Sequence, residues 1–279
     1  MNSLSVVIPT FNNSKYLDLC LTALRENSEL NNEILIHMDG CTDDTESIVK
    51  EFMNMGLSIT LTSSEHKGLY SSVNSAMRNA TKDYFLLIND DIVVSPGWDK
   101  SFLKACKPNR VMCPWMVEAG NGSYTQGVVF GENTPEKFKL ADFNEYCNKN
   151  KKDEFVVNWT VGMWSARREL FEIINGCDEA FNPFGCGGTE ILYRLKILYP
   201  EYEFGAHLGT LVYHFSAACK RENNRDHLVN LYTWDDKYTE VTGQEANDLL
   251  EGNRGYKPIE STPQFKERCL HGHLGKGLV

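Results

Sequence analysis

The chain has 279 residues, enough to bury a sizeable core as one large domain or two small ones. Its 28 basic and 38 acidic residues give a net charge of -10, which disfavours general binding to nucleic acid or to an anionic membrane. An anionic substrate would therefore need cations placed locally at its site.

The nine cysteines include no CxxC pair, so we expect reduced thiols in a cytoplasm rather than a disulfide framework. No apolar run approaches the roughly 18 residues of a membrane span, and the first apolar run stops at Pro9, short of a signal sequence. We therefore expect a cytoplasmic protein without a transmembrane segment, which could still lie peripherally against a membrane.

Strand and helix patterns alternate through the first third of the chain. A helical pattern follows Ser14, and Asp43 and Glu46 have the spacing of a capping box before a second helix. Short apolar runs predict strands at residues 4–8, 33–38, 57–63 and 84–88, and a third helix is predicted at residues 69–80. This alternation predicts an open parallel α/β sheet with right-handed crossovers.

Polar residues stand at the ends of three predicted strands: Pro9 and Thr10, Asp39, and residues 89–91. Ligands of such sheets bind outside the carboxyl ends of the strands, so we expect these residues to lie side by side. The adjacent carboxylates Asp90 and Asp91 would repel each other, and a divalent cation bridging them to a bound diphosphate would remove that difficulty. The alternative is a pair of exposed loop carboxylates at a helix entrance.

The pattern loosens from Ser95 onward. Ser95 and Pro96 resemble the N-cap and first position of a helix that reaches about Cys106. Further along we predict strands at residues 110–117 and 155–165, loops at 120–127 and 147–154, and helices at 167–174 and 190–198. After His214 we expect a helical tail that packs on the domain.

Four blocks of sequence follow one another along the chain: VVIPTFNNSKYLDLCLTAL, MDGCTDDT, SSVNSAMRNATKDYFLLINDDIVVSPGW and MWSARRELFEIINGCDEAF. In this order they resemble the blocks of inverting family-two glycosyltransferases with the GT-A fold. The resemblance implies an α/β fold, a Rossmann-like open mixed sheet flanked by helices. It covers residues 4 to about 216, so we expect a glycosyltransferase domain at 1–216, with a nucleotide-binding half at 1–98, an acceptor half at 99–216 and a tail at 217–279.

The resemblance also implies which residues bind a nucleotide-diphosphate sugar. Asp39 matches the aspartate that recognises the base, and Asp90 would face the ribose. The other implied donor-binding residues are Pro9, Thr10 and Phe11 at the end of the first strand, Lys67 and Gly68, Asn74, and Asn89. Lys67 could equally be a solvated loop lysine.

Asp91 matches the metal-binding acid of the family, and His214 lies near where these enzymes often supply a histidine ligand. Because imidazole suits Mn²⁺ better than Mg²⁺, manganese is the preferred cofactor, with Mg²⁺ as the alternative. A structural role for His214 stays open. The C-terminal Cys269, His271 and His273 lack a second ligand pair at zinc-finger spacing.

The segment GCGGTEILYRL resembles the acceptor-binding GWGGED motif of GT-A enzymes, with Cys186 at the Trp position, Thr189 at the Glu position and Glu190 at the Asp position. Glu190 would therefore be the general base that takes the proton of the acceptor hydroxyl, unless it is only a first-turn acid favoured by the helix dipole. Thr189 could cap this helix. The acceptor would be bound by Gly187, Gly188, Thr189 and Trp164, although Trp164, Trp115 and Trp159 could instead be core residues.

These features predict a metal-dependent glycosyltransferase that moves a sugar, with inversion, from a nucleotide-diphosphate sugar to an acceptor hydroxyl. A UDP-sugar is the favoured donor, and the acceptor could be a glycan, a lipid-linked molecule or a protein. One alternative is a binding module that has lost catalysis, since Gly187, Gly188 and Thr189 stand where acids might. A sugar nucleotidyltransferase is less favoured, because no Gly-rich basic loop follows the first strand.

Overall fold

The computed structural model describes residues 3–118, 131, 134–157, 163–182 and 187–215. The predicted loop at 120–127, the helical tail at 217–279 with its Cys269, His271 and His273, and the positions of Trp159 and Cys186 lie outside these ranges. No helix within the described ranges has the length and apolar character needed to cross a membrane. The division into a nucleotide half and an acceptor half stays a prediction.

The first third of the chain alternates strand and helix as predicted. Its elements are β1 (Ser5–Thr10), α1 (Ser14–Asn27), β2 (Glu33–Asp39), α2 (Thr45–Asn54), β3 (Ile59–Ser64), α3 (Leu69–Met77) and β4 (Tyr84–Leu87). The predicted capping box is replaced by another arrangement, in which Asp43 accepts hydrogen bonds from the backbone N–H groups of Thr45 and Ser14. One carboxylate therefore holds the starts of both α1 and α2.

The rest of the chain supplies five more strands and four α-helices among the described residues. They are β5 (Ile92–Val94), α4 (Trp98–Ala105), β6 (Arg110–Glu118), α5 (Leu140–Asn150), β7 (Phe155–Val157), β8 (Trp164–Arg167), α6 (Arg168–Ile173), α7 (Gly187–Leu198) and β9 (Glu203–His214). Two expectations are wrong here. Helix α4 begins at Trp98 after Gly97, so Ser95 and Pro96 lie in the preceding turn. Helix α5 extends into the predicted loop at 147–154, because Cys147 packs in the core.

All nine strands of the described residues join one mixed sheet in the order β3-β2-β1-β4-β8-β6-β9-β5, and β7 pairs with β9. Strands β3, β2, β1 and β4 run parallel, which places their carboxyl ends at one edge. Strand β8 runs antiparallel to β4 and to β6, whereas β6 and β9 are parallel and bring Glu118 opposite His214. The sheet therefore gathers residues from both halves of the chain at one edge.

Helices cover both faces of the sheet. Apolar residues of α1, α2, α4 and α5 form one core cluster, and those of α3, α6 and α7 form the other. Alternate residues of β1 divide between the two, since Val6 and Ile8 join the first cluster and Val7 joins the second. This alternation, which follows from the two-residue period of a strand, fixes the register that carries Thr10 to the open edge.

Candidate functional site

Asp90 lies beside the end of β1 and accepts two side-chain hydrogen bonds. The hydroxyl of Thr10 donates to its Oδ2 at 2.7 Å, and the amide of Asn13 donates to its Oδ1 at 2.8 Å. Burial of the carboxyl, reinforced by the neighbouring charge of Asp91, raises the pKa of Asp90 to about 7, against the opposing effect of both hydrogen bonds. The ends of the first and fourth strands therefore lie together, as predicted.

Asp91 is the more enclosed of the two acids, with 5% of its surface exposed. Its Oδ2 lies 3.5 Å from Nε2 of His214, while no described group hydrogen-bonds to its Oδ1. Burial raises the pKa of Asp91, and the nearby His214 opposes that rise. On the other side of the ring, Nδ1 of His214 lies 3.2 Å from Oε1 of Glu118.

Asp91 and His214 have the donor types and spacing of a divalent-cation site. Two ligands that each stand about 2.1 Å from a small divalent ion can be as much as about 4 Å apart, and the 3.5 Å between Oδ2 and Nε2 falls within that limit. A buried carboxylate oxygen that lacks a described hydrogen-bond partner is a further fit to a cation. The described residues contain no group of three or more such ligands, so water or a bound diphosphate would supply the remaining oxygens.

Asp39 holds the loop that leads into α3. Its carboxylate accepts hydrogen bonds from the backbone N–H groups of Lys67 at 2.7 Å and Gly68 at 2.8 Å, and Nδ1 of His66 lies 2.9 Å from its Oδ2. The ring of His66 stacks on Phe11 with a centroid distance of 4.2 Å, and Phe11 is 48% exposed. The loops after β1, β2 and β3 therefore meet around one buried carboxylate, with an exposed aromatic pair and the exposed Lys67 side chain beside it.

Glu190 lies in the first turn of α7 and is fully buried. Its Oε1 forms an ion pair of 2.8 Å with Nε of Arg194, one turn later, and Arg194 is also fully buried. The guanidinium donates further hydrogen bonds to the carbonyl oxygens of Ile174 at 2.8 Å and Gly176 at 2.6 Å. Glu190 therefore has an ion-pairing role, and its assignment as general base stays a prediction.

Helix α7 begins at Gly187, two residues before Thr189, so Thr189 lies inside the first turn and not at the N-cap. The N–H of Gly188 donates to the hydroxyl of Tyr70 at 3.1 Å, which joins the start of α7 to α3. The predicted acceptor segment thus packs against the helix that follows the Asp39 loop.

Comparisons with known proteins identify the family of this chain. The profile of glycosyl transferase family 2 matches residues 5–173, more than half of the 279 residues. The chain belongs to this family. Glycosyltransferase GlyA of Streptococcus pneumoniae is 30% identical over 103 residues, which cover 37% of this chain and 15% of GlyA. The family-two chain thus spans only a small part of that relative's length.

Two solved structures share the fold of this family-two chain. The mannosyltransferase PcManGT from Pyrobaculum calidifontis, in complex with GDP-Man and Mn²⁺, has a TM-score of 0.55 at 16% identity and is matched over 95% of this chain and 67% of its own. GalNAc-T7, solved with UDP, GalNAc and Mn²⁺, has a TM-score of 0.63 at 15% identity, over 97% of this chain and 55% of its own. At these identities the likeness shows the GT-A fold alone.

Trp164 was predicted to bind the acceptor, which would require an accessible ring, but its ring is enclosed in the core. It is 1% exposed and packs edge-on against Phe85 with a ring-centroid distance of 4.8 Å, next to Phe171. A ring enclosed in this way cannot stack on a sugar, so Trp164 is a core residue. Trp115 is partly buried and packs against the other cluster.

Asn74 makes contacts that the sequence did not suggest. Its amide donates to the carbonyl of Cys177 and to Glu179, both at 2.9 Å, and its Oδ1 accepts the N–H of Cys177 at 2.9 Å. Both ends of the amide therefore bind the segment between α6 and α7. Asn74 therefore positions that segment, and its assignment to the donor stays a prediction.

Three residues of this candidate site were not anticipated from the sequence: Asn13 on Asp90, His66 on Asp39 and Glu118 on His214. Glu118 carried a usable signal, because it ends the apolar run RVMCPWMVE just as Asp39 ends EILIHM. Asn13 and His66 carried none, since both are polar residues in loops.

Proposed function

We propose that this chain is a metal-dependent glycosyltransferase that moves a sugar from a nucleotide-diphosphate sugar to an acceptor hydroxyl with inversion. The observation that carries the proposal is the strand-end cluster, in which Asp90 binds Thr10 and Asn13 while Asp91 faces His214. PcManGT and GalNAc-T7, which share the fold, were solved with a nucleotide or nucleotide sugar and Mn²⁺, and that supports the same ligand classes here.

Asp91 and His214 would hold the divalent cation, for which we favour Mn²⁺ over Mg²⁺ because one ligand is an imidazole. When bound, the cation supplies positive charge to the departing diphosphate. Asp91 and His214 contribute one oxygen and one nitrogen from strand ends that the sheet fixes in place. This rigidity keeps the two ligands at one spacing through the reaction.

The donor would bind along the edge from Asp39 to Asp90. We assign the ribose hydroxyls to Asp90, and the base to the pocket of Pro9, Thr10, Phe11 and Asp39, with a UDP-sugar favoured. The half-buried Asn89 and the loop of Lys67 and Gly68 flank that pocket. The exposed ammonium of Lys67 is a local cation for the diphosphate in a chain whose net charge is -10.

The acceptor would approach the start of α7, where glycines at 187 and 188 let a backbone pass close to a sugar. Thr189 and Glu190 complete this segment. In a single displacement at the anomeric carbon, Glu190 would take the proton from the acceptor hydroxyl. Because Glu190 is paired with Arg194, that step requires the ion pair to open when the acceptor binds.

A binding module without catalysis is a second candidate function. The observation that favours it is the same ion pair: the one acid of the GGTE segment is fully buried and neutralised by Arg194. Such a module would still bind a nucleotide sugar at Asp90 and Asp91.

A panel of nucleotide sugars with Mn²⁺, assayed for release of a nucleoside diphosphate and for a transferred sugar by NMR, separates the two functions. A transferase releases the diphosphate from one donor and yields a product of inverted anomeric configuration. Tight, Mn²⁺-dependent donor binding without release for any acceptor favours the module. Failure of every donor to bind contradicts both.

A further inference from the structure

Glu118 is a fully buried acid at the end of β6. It is directly opposite His214 in the parallel pairing of β6 with β9, and its Oε1 lies 3.2 Å from Nδ1 of that ring. A buried carboxylate costs several kcal/mol of desolvation unless a partner compensates it, so its placement needs a reason beyond packing.

The contact determines which nitrogen of His214 carries a proton. A carboxylate oxygen can only accept, so Nδ1 must donate its hydrogen to Glu118. In the neutral ring, Nε2 is then left with a lone pair, and this nitrogen is the one that faces Asp91. A ring held in this tautomer is prepared to bind a cation through Nε2.

We propose that Glu118 is a positioning residue of the metal site: it accepts the hydrogen bond of His214 Nδ1 and so fixes the ring and tautomer that present Nε2 to a divalent cation. The inference rests on the proposed function, because Glu118 has this role only if Asp91 and His214 bind a divalent cation. Glu118 acts only through His214 and contributes a negative charge behind the ligand, which raises the basicity of the ring.

The competing explanation is an internal ion triplet, in which a protonated His214 lies between Asp91 and Glu118 and no metal is bound. The two explanations differ in the protonation state of His214, which is a neutral metal ligand in the first and a cation in the second. Positioning requires that loss of Glu118 changes both the tautomer and the affinity for a metal, whereas the triplet requires neither.

The test measures the dissociation constant of Mn²⁺ alone, from the electron paramagnetic resonance signal of the free ion, in the full chain and in variants. Glu118→Leu removes the acceptor and should weaken Mn²⁺ binding by about 10- to 100-fold. Glu118→Gln keeps an acceptor oxygen but loses the charge, so it should fall between wild type and Glu118→Leu. Glu33→Gln is the matched control, because this acid sits at the other end of the parallel strands and should leave the affinity unchanged.

A second readout is the tautomer of His214, observed by ¹⁵N NMR of histidine-labelled protein without metal and assigned with His214→Asn. The wild type and Glu118→Gln should show Nδ1–H, and Glu118→Leu should shift toward Nε2–H. Circular dichroism verifies that each variant folds, and Glu118→Gln serves alone if Glu118→Leu does not.

The outcomes separate the inference from the proposed function. Suppose that the wild type binds Mn²⁺, and that every folded variant of Glu118 binds it equally well with an unchanged tautomer of His214. The role of Glu118 is then overturned and the metal site stands. If the wild type binds no Mn²⁺, either alone or with UDP or GDP present, both fall together.

Discussion

Replacing Glu190 by glutamine should lower the free energy of unfolding by about 3 kcal/mol, because it strands a positive charge in the core. Glu190 and Arg194 are both fully buried and 2.8 Å apart. Removing one partner of a buried ion pair typically costs about 3–5 kcal/mol. The lower end applies because Arg194 keeps its hydrogen bonds to the carbonyl oxygens of Ile174 and Gly176, and because glutamine keeps an acceptor oxygen.

Glu46→Gln is the matched control. Glu46 and Lys50 have the same spacing and order on α2, at 2.6 Å, but both side chains are more than half exposed. Exposed pairs of this kind contribute about 0.3–0.5 kcal/mol, so the control should unfold almost like the wild type. The losses caused by Glu190→Gln and by Arg194→Met should not add in the double variant Glu190→Gln/Arg194→Met, and the coupling should be about 1–3 kcal/mol.

Urea unfolding followed by circular dichroism measures five proteins: the wild type, Glu190→Gln, Arg194→Met, the double variant and Glu46→Gln. Turnover is assayed at a temperature where each is folded. A loss of less than about 1 kcal/mol for Glu190→Gln would refute the ion-pair argument. If that stable variant also lost turnover, the charge of Glu190 would serve the reaction, as its assignment as general base requires.

Three further predictions concern the fold and the donor edge. Because burial raises the pKa of Asp90 from 3.8 to about 7, the folded apoprotein holds a proton that the unfolded chain loses in this range. Its unfolding free energy should therefore fall as pH rises from about 4 to about 7, by roughly 1–2 kcal/mol after allowance for partial exposure, and Asp90→Asn should flatten this fall in EDTA. Asp39→Asn should lower the free energy of unfolding by about 1–2 kcal/mol, because an amide offers one acceptor oxygen where the carboxylate uses two for Lys67 and Gly68. Urea unfolding measures this loss, and unchanged stability would contradict the expectation. Trp164→Leu should lower the free energy of unfolding by about 2–4 kcal/mol, because the ring is buried in the core. It should not raise the acceptor KM beyond that of other core variants, and a selective rise in KM would restore Trp164 to the acceptor site.

The order of strands and helices up to β4 followed from the sequence because each element has its own periodicity and polar ends. The meeting of Thr10 with Asp90 followed as well, since the carboxyl ends of adjacent parallel strands must share an edge. Both inferences use only local pattern and one topological rule.

The remaining features depend on contacts between distant residues. Strand β8 enters the sheet between β4 and β6 as an antiparallel strand, and no local pattern fixes that position. Glu190 has the same apparent character in sequence whether it faces an acceptor or Arg194, and Asn74 reveals its bond to Cys177 only once α6 is in place. Tertiary partners, not residue types, decide these roles.

The proposed function requires that Asp91 hold a metal that binds a nucleoside diphosphate. Isothermal titration of UDP and of GDP into the full chain, with Mn²⁺ or with EDTA, tests it most directly, with Asp153→Ala as the control because that exposed acid lies at the surface beside Lys104. One nucleotide should bind at least roughly tenfold tighter with Mn²⁺ than with EDTA. Asp91→Ala should remove this gain, and Asp153→Ala should keep it. Equal binding with Mn²⁺ and EDTA in the wild type, or an undiminished gain in Asp91→Ala, would contradict it.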